Sequence, residues 1–169
     1  MQQAILIIDD EKKLAGLLAR IIELEGFQVY QAHTAKDGLR ILEHEEILVV
    51  LSDVKLPDIH GVELVKQIKG IKSYVEVINL TAFGSIHDGV TAMRNGAFDY
   101  ITKGDDNDKI IPLLYKAMEK AKLNSRIIDL EQRISGKHSF DAVLGTSKAI
   151  KEAISLAKKV AATNTTVLL

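Results

Sequence analysis

The residues with the most chemical potential are Asp9, Asp10, Asp53, Thr81 and Lys103, and each stands at the end of an apolar run. "QAILIIDD" runs into Asp9 and Asp10, "ILVVLSD" into Asp53, "VEVINLTA" reaches Thr81 and "FDYITK" ends in Lys103. Like charges a few ångströms apart oppose one another's ionisation, so three converging carboxylates require a cation. An all-oxygen donor set suits Mg²⁺, which takes one or two carboxylates and a phosphate oxygen and keeps several waters. With Asp10 and Asp53 on such an ion, an oxygen of Asp53 stays free to attack phosphorus, and a carboxylate nucleophile there forms an acyl phosphate. The metal and Lys103 would neutralise the equatorial phosphoryl oxygens, and Thr81 would donate a hydrogen bond to them. Taken one at a time, these residues have ordinary explanations. Asp9 and Asp10 suit a helix N-terminus, Asp53 a turn, Thr81 a strand and Lys103 a solvated surface. Their joint placement, with each part at a strand end, is what points to a site.

The elements that must position them alternate. "EKKLAGLLARIIELEG" carries Leu14, Leu17, Leu18, Ile21 and Leu24 at helical spacing, with Gly26 where a left-handed cap is wanted. "FQVYQA" reads as a second strand. Thr34 and Asp37 form a capping box for a helix through about Glu43, and Gly61 to Lys69 predicts a short helix. Ser85 and Asp88 open another helix, which ends near Asn95-Gly96. Strand and helix periods alternate five times, which predicts an α/β fold: a parallel sheet with helices on both faces and right-handed crossovers. Sites in such sheets form outside the carboxyl ends of the strands, and these five residues converge there if the order is the five-stranded doubly wound one.

Composition excludes other classes. No cysteine is present, so disulfides and Cys-ligated metals are ruled out, which fits a cytoplasmic protein. No apolar run is long enough to span a membrane, and no leader-like segment opens the chain. A net charge of −1 leaves no whole-chain nucleic-acid footprint. From Lys116 onward ten Lys/Arg face five Asp/Glu, which reads as a solvated helical face.

"IIDDE", "LSDVKLPDIHG", "NLTAFGS" and "GAFDYITKG" together resemble the receiver domain of a two-component response regulator, over residues 1 to about 120. The resemblance implies a flavodoxin-like, doubly wound sheet of order 2-1-3-4-5. It implies Asp53 as phosphoacceptor, served by a sensor histidine kinase, and Asp9, Asp10, Asp53 and the main-chain carbonyl of Lys55 as Mg²⁺ ligands. It also implies Thr81 and Lys103 as phosphoryl-binding residues and Tyr100 as an aromatic switch. The chain departs from the family in one place: Gly104 stands where a proline commonly follows the lysine after a cis bond. A cis bond to a non-proline costs about 2.5–4 kcal/mol, so the 103–108 loop is expected to be more mobile than usual.

"NDKIIPLLYKAMEKAKLNSRIIDLEQRISG" is longer than a receiver needs. It predicts an extended C-terminal helix capped by Asn107 or Asp108 and ended by Gly136; about 28 residues would span roughly 40 Å. Ile111, Leu114, Met118, Ala121, Ser125 and Ile128 form one stripe, expected to pack on the receiver. Leu123, Ile127, Leu130 and Ile134, at four-three-four spacing, form a second, which predicts a coiled coil with another copy and hence a homodimer. The tail predicts a helix after Gly145-Thr146-Ser147 and a strand at "TTVLL"; a lone apolar strand cannot bury itself, so a further domain is expected to follow. This tail resembles the start of the AAA+ ATPase domain of sigma-54-dependent activators of the nitrogen-regulatory type. The expected division is therefore a receiver at 1–120, a linker helix at 121–136 and the opening of an ATPase domain at 137–169. No G-x-x-x-x-G-K-(S/T) is present, so this chain is not itself expected to be an enzyme. DNA and sigma-54 polymerase would be contacted only by other regions, and no membrane partner is expected. The alternatives are a pairing module that is never phosphorylated and, less favoured, a Mg²⁺-dependent aspartyl phosphatase. The latter needs D-x-D after the first strand, where this chain has Asp9-Asp10-Glu11.

Overall fold

The structure, a computed structural model, describes residues 3–82, 85–103, 107–137 and 147–161. The chain divides into two compact units, Met1–Ser125 and Arg126–Leu169.

The first unit is built on five parallel strands: β1 (Ala4–Ile8), β2 (Gln28–Ala32), β3 (Ile47–Asp53), β4 (Glu76–Thr81) and β5 (Asp99–Thr102). Their order is β2-β1-β3-β4-β5, as the resemblance implies. Helices α1 (Lys12–Leu24), α2 (Ala35–His44), α3 (Gly61–Ile71), α4 (Ile86–Arg94) and the part of α5 (Asn107–Lys137) up to Ser125 connect and cover them. Buried parallel strands read as continuous apolar runs because both faces are covered. β1 shows this: Leu6 and Ile8 pack toward α2 and α3, while Ile5 and Ile7 pack toward α1 and α5. An irregularity in β3 shifts the register so that Ala4 pairs with Ile47 but Ile5 pairs with Val49. The extra residue, Leu48, lies on the same face as Val49, and the alternation resumes from Val50.

The caps follow the sequence. Thr34 Oγ1 accepts from the Asp37 N–H at 3.1 Å and Ser85 Oγ from the Asp88 N–H at 3.0 Å. Gly26 has φ +89°, the left-handed conformation its position after α1 requires. The buried face of α1, however, is Ala15, Ala19 and Ile22; Leu17, Ile21 and Leu24 are exposed. Alanines let the helix lie close to the sheet. Leu14, Leu17, Leu18 and Ile21 instead line an open apolar groove with Ile110 and Ile111.

α5 has 31 residues, and its last residue, Lys137, lies one position past Gly136, where an end was expected. Ile110, Leu114, Ala117, Met118 and Ala121 are buried in the first unit. Leu123, Ile127 and Leu130 are about half exposed, while the Ile134 side chain lies outside the described residues. In the second unit α6 (Lys148–Ala161) is capped by Ser147, whose Oγ accepts from the Ile150 N–H at 3.3 Å. The expected strand at "TTVLL" lies outside the described residues, as does the 103–104 peptide. No described helix is long and apolar enough to cross a membrane.

Glu76 starts β4 and is 1% exposed. Its Oε2 accepts from Lys69 Nζ at 3.2 Å and Lys120 Nζ at 3.3 Å, and its Oε1 from Asn124 Nδ2 at 3.2 Å. A buried charge is tolerated when it is paired and fully hydrogen-bonded, and here the pairing ties α3 and α5 to the sheet. Glu76→Ala is expected to lower stability in urea unfolding by about 2–3 kcal/mol, with Glu76→Gln losing less. A loss below 0.5 kcal/mol for Glu76→Ala would show that solvent screens the cluster.

Candidate functional site

β1 and β3 are the central strands, and both end at the same rim of the sheet, Ile8 pairing with Ser52. The next residues therefore face each other across one crevice. Carboxylate oxygens of Asp9, Asp10 and Asp53 lie within 4.8 Å of one another, with Asp9 and Asp53 buried and Asp10 exposed. Lys103 follows β5, held by its N–H donating to the Thr81 carbonyl at 2.7 Å. Its side chain reaches back across the rim, where Nζ donates to Asp9 Oδ2 at 2.8 Å and to Asp53 Oδ2 at 2.9 Å. The three side chains are 11%, 2% and 9% exposed, so the bridge sits in a region of low water access. Burial pulls the Lys103 ammonium down, but the hydrogen bonds and charges of Asp9 and Asp53 outweigh it and raise its pKa above the ordinary value.

The remaining lone pairs are used locally. The Glu11 N–H donates to Asp9 Oδ1 at 2.9 Å, and the Lys55 N–H to Asp53 Oδ1 at 3.3 Å. His33 lies 2.9 Å from the Asp9 carbonyl through Nδ1; a carbonyl can only accept, so Nδ1 carries the proton. Behind Asp53, the Gly61 N–H donates to the Val54 carbonyl at 2.8 Å and brings the start of α3 against the end of β3. From the loop before α3, Asp58 accepts from the Ala35 and Lys36 N–H groups at 3.0 and 2.9 Å, which fixes the start of α2. Those backbone bonds hold the Asp58 carboxyl below its usual range against the opposing effect of burial.

Thr81 is buried at the end of β4, its Cα paired with that of Thr102. Tyr100 is half-buried on the α3–α4 side, its ring lying against α4 at Gly89. The structure thus brings Asp9, Asp10, Asp53 and Lys103 into contact range and sets Thr81 and Tyr100 on the adjoining strands. Sequence reasoning assigned no role to Gly61, Asp58 or Asn79. Asn79 had a signal: a lone amide between the apolar Ile78 and Leu80 of a buried strand. It is fully buried, and its Nδ2 donates to the Gly61 carbonyl at 3.3 Å.

An all-oxygen carboxylate trio around a lysine fits Mg²⁺, a hard cation that takes oxygen ligands. Comparison with known proteins gives the same picture. The family "Response regulator receiver domain" matches residues 5–115. The chain is 28% identical over 165 residues to the Regulatory protein AtoC of Escherichia coli (strain K12), covering 98% of this chain and 36% of that protein. It resembles the crystal structure of NtrX from Brucella abortus in complex with ADP, with TM-score 0.69 and 29% identity, covering 97% of this chain and 35% of that one. It also resembles the solution structure of the beryllofluoride-activated NtrC4 receiver domain dimer, with TM-score 0.66 and 27% identity, covering 70% of this chain and 98% of that one. The chain spans about a third of the length of AtoC and of NtrX.

Proposed function

The chain belongs to the response regulator receiver domain family, and on that premise we propose that Asp53 accepts a phosphoryl group from a sensor histidine kinase or a small acyl phosphate. The observation that carries this reading is the buried Lys103 ammonium bridging Asp9 and Asp53 at a strand-end rim. An Asp53 carboxylate oxygen attacks phosphorus, the bond to the donor's leaving group breaks with its electron pair, and an aspartyl phosphate results. Asp9, Asp10, Asp53 and the Lys55 carbonyl would hold Mg²⁺, which when bound neutralises charge on the phosphoryl oxygens. Lys103 transfers its hydrogen bond from the Asp53 carboxylate to a phosphoryl oxygen, a charge-assisted bond that strengthens as charge develops. Thr81 donates a hydrogen bond to another, and Tyr100 adjusts with it.

The readout is dimer arrangement. Leu123, Ile127, Leu130 and Ile134 form a coiled-coil seam, and exposed Ile86, Val90 and Met93 on α4 form an apolar stripe of the α4–β5–α5 face. The beryllofluoride-activated NtrC4 receiver domain is a dimer in solution, which supports pairing in this family. Residues 1–120 serve as the receiver, 121–136 as linker, and 137–169 as the opening of a sigma-54 activator ATPase domain that the cytoplasmic dimer gates; AtoC and NtrX both match the chain through this tail.

The test is intact mass after incubation with Mg²⁺ and acetyl phosphate, with light scattering on the same samples. One phosphoryl adduct on the wild type and none on Asp53→Asn is expected. No adduct under any donor condition would leave a pairing module that is not phosphorylated.

A further inference from the structure

Among the described residues, two buried side-chain polar atoms lack a hydrogen-bond partner: Asn79 Oδ1 and the Tyr100 hydroxyl. Buried polar atoms are nearly always paired, so two orphans in one domain need a reason. Their placement supplies it. Asn79 and Tyr100 are register partners on β4 and β5. Both lie on the α3–α4 side of the sheet, Asn79 bonded to the first residue of α3 and Tyr100 packed with that core. Their roles are complementary, since an amide oxygen only accepts and a phenol hydroxyl can donate. Turning the amide round would set Oδ1 against the Gly61 carbonyl oxygen, two acceptors with no proton between them, so Oδ1 faces away from Gly61. Asn79 also precedes Thr81 by two residues on the same strand, so it shares a face with the proposed phosphoryl-binding hydroxyl.

We propose that Asn79 is the positioning residue for Tyr100: its Oδ1 accepts the Tyr100 hydroxyl in the phosphorylated state, and this bond helps to favour that state. The inference rests on the phosphoacceptor reading given above. In the conformation described here the bond is unmade, and a conformation that makes it gains a buried hydrogen bond without breaking another. Asn79 would thereby couple three segments, since its Nδ2 holds α3 behind Asp53 while its Oδ1 takes the ring on β5.

The experiment is a double-mutant cycle on the full 169-residue chain with Mg²⁺ and beryllofluoride, a non-transferable phosphoryl mimic, using Asn79→Leu, Tyr100→Phe and the pair. Tyr100→Phe is expected to weaken apparent beryllofluoride affinity about fivefold, the weight of one buried hydrogen bond; Asn79→Leu, which also removes the bond to the Gly61 carbonyl, is expected to weaken it at least as much, and the pair no further than Asn79→Leu alone. Thermal stability without beryllofluoride should not show this coupling, which separates a state-dependent bond from a general packing role. A further loss of about fivefold from Tyr100→Phe in the Asn79→Leu background, or an unchanged affinity in either single variant, would overturn the proposal. Should Asn79→Leu fail to fold, Tyr100→Phe removes only the hydroxyl, and an unchanged affinity there is decisive. Acetyl phosphate labelling of each variant keeps the two readings apart: an intact Asp53 adduct with additive losses rejects only the Asn79–Tyr100 bond, whereas no wild-type adduct rejects both.

Discussion

Lys103→Met is expected to lower stability in metal-free buffer by about 3 kcal/mol and to make the remainder strongly dependent on Mg²⁺. In the folded chain the ammonium lies 2.8 Å from Asp9 and 2.9 Å from Asp53 and is the cation that bridges these two buried carboxylates. Methionine keeps most of the side-chain volume and removes only that charge, leaving two buried acids and exposed Asp10 in mutual repulsion. Removing one partner of a buried pair is costly because the other charge remains uncompensated. A divalent cation would restore the balance, so Mg²⁺ should raise the unfolding midpoint of the variant more than that of the wild type. Adduct formation with acetyl phosphate should slow by about 100-fold, the usual weight of one donor aimed at developing charge. Urea unfolding with and without Mg²⁺, and a mass time course, measure both. A variant as stable as the wild type in metal-free buffer would mean that solvent already screens the acids.

Gly61→Ala carries the second large effect. A Cβ at Gly61 would overlap the Asp53 carbonyl oxygen and lie 2.8 Å from Val54 Cα, so it meets backbone rather than a flexible side-chain end. The methyl group would push the start of α3 off β3 and break the Gly61 N–H bond to Val54. Overpacking of this kind costs typically 1–3 kcal/mol; about 3 is expected here, because both atoms in the way are main chain. The methyl presses on the main chain of Asp53 itself, so adduct formation should fall at least tenfold, on the order of the losses from small misplacements of reacting groups. Gly70→Ala, in the same helix with nothing within 4 Å of the added methyl, is the control and should be neutral or slightly stabilising. Equal melting temperatures for the two variants would show that the α3 start adapts freely.

The alternation of buried apolar runs with helical spacing is enough to specify a covered parallel sheet, because only such a sheet buries both faces of a strand like Ile5–Ile8. Asp9, Asp53, Thr81 and Lys103 were legible for a related reason: strand ends in this topology share one rim, so residues following apolar runs must meet there. The capping residues Thr34 and Ser85 were legible because their partners are three residues away.

Contacts between distant segments were decided only by the tertiary structure. Periodicity marked a leucine stripe on α1, yet the sheet selected the neighbouring face of Ala15, Ala19 and Ile22; side-chain size at the contact determines which face comes close. Glu76, at the start of β4, is satisfied by Lys120 and Asn124, 44 and 48 residues later, and nothing in its local sequence names them. Asn79 depends likewise on Gly61, 18 residues earlier. An isolated polar residue in a strand does not show which distant donor will satisfy it, because that partner is selected by packing in three dimensions.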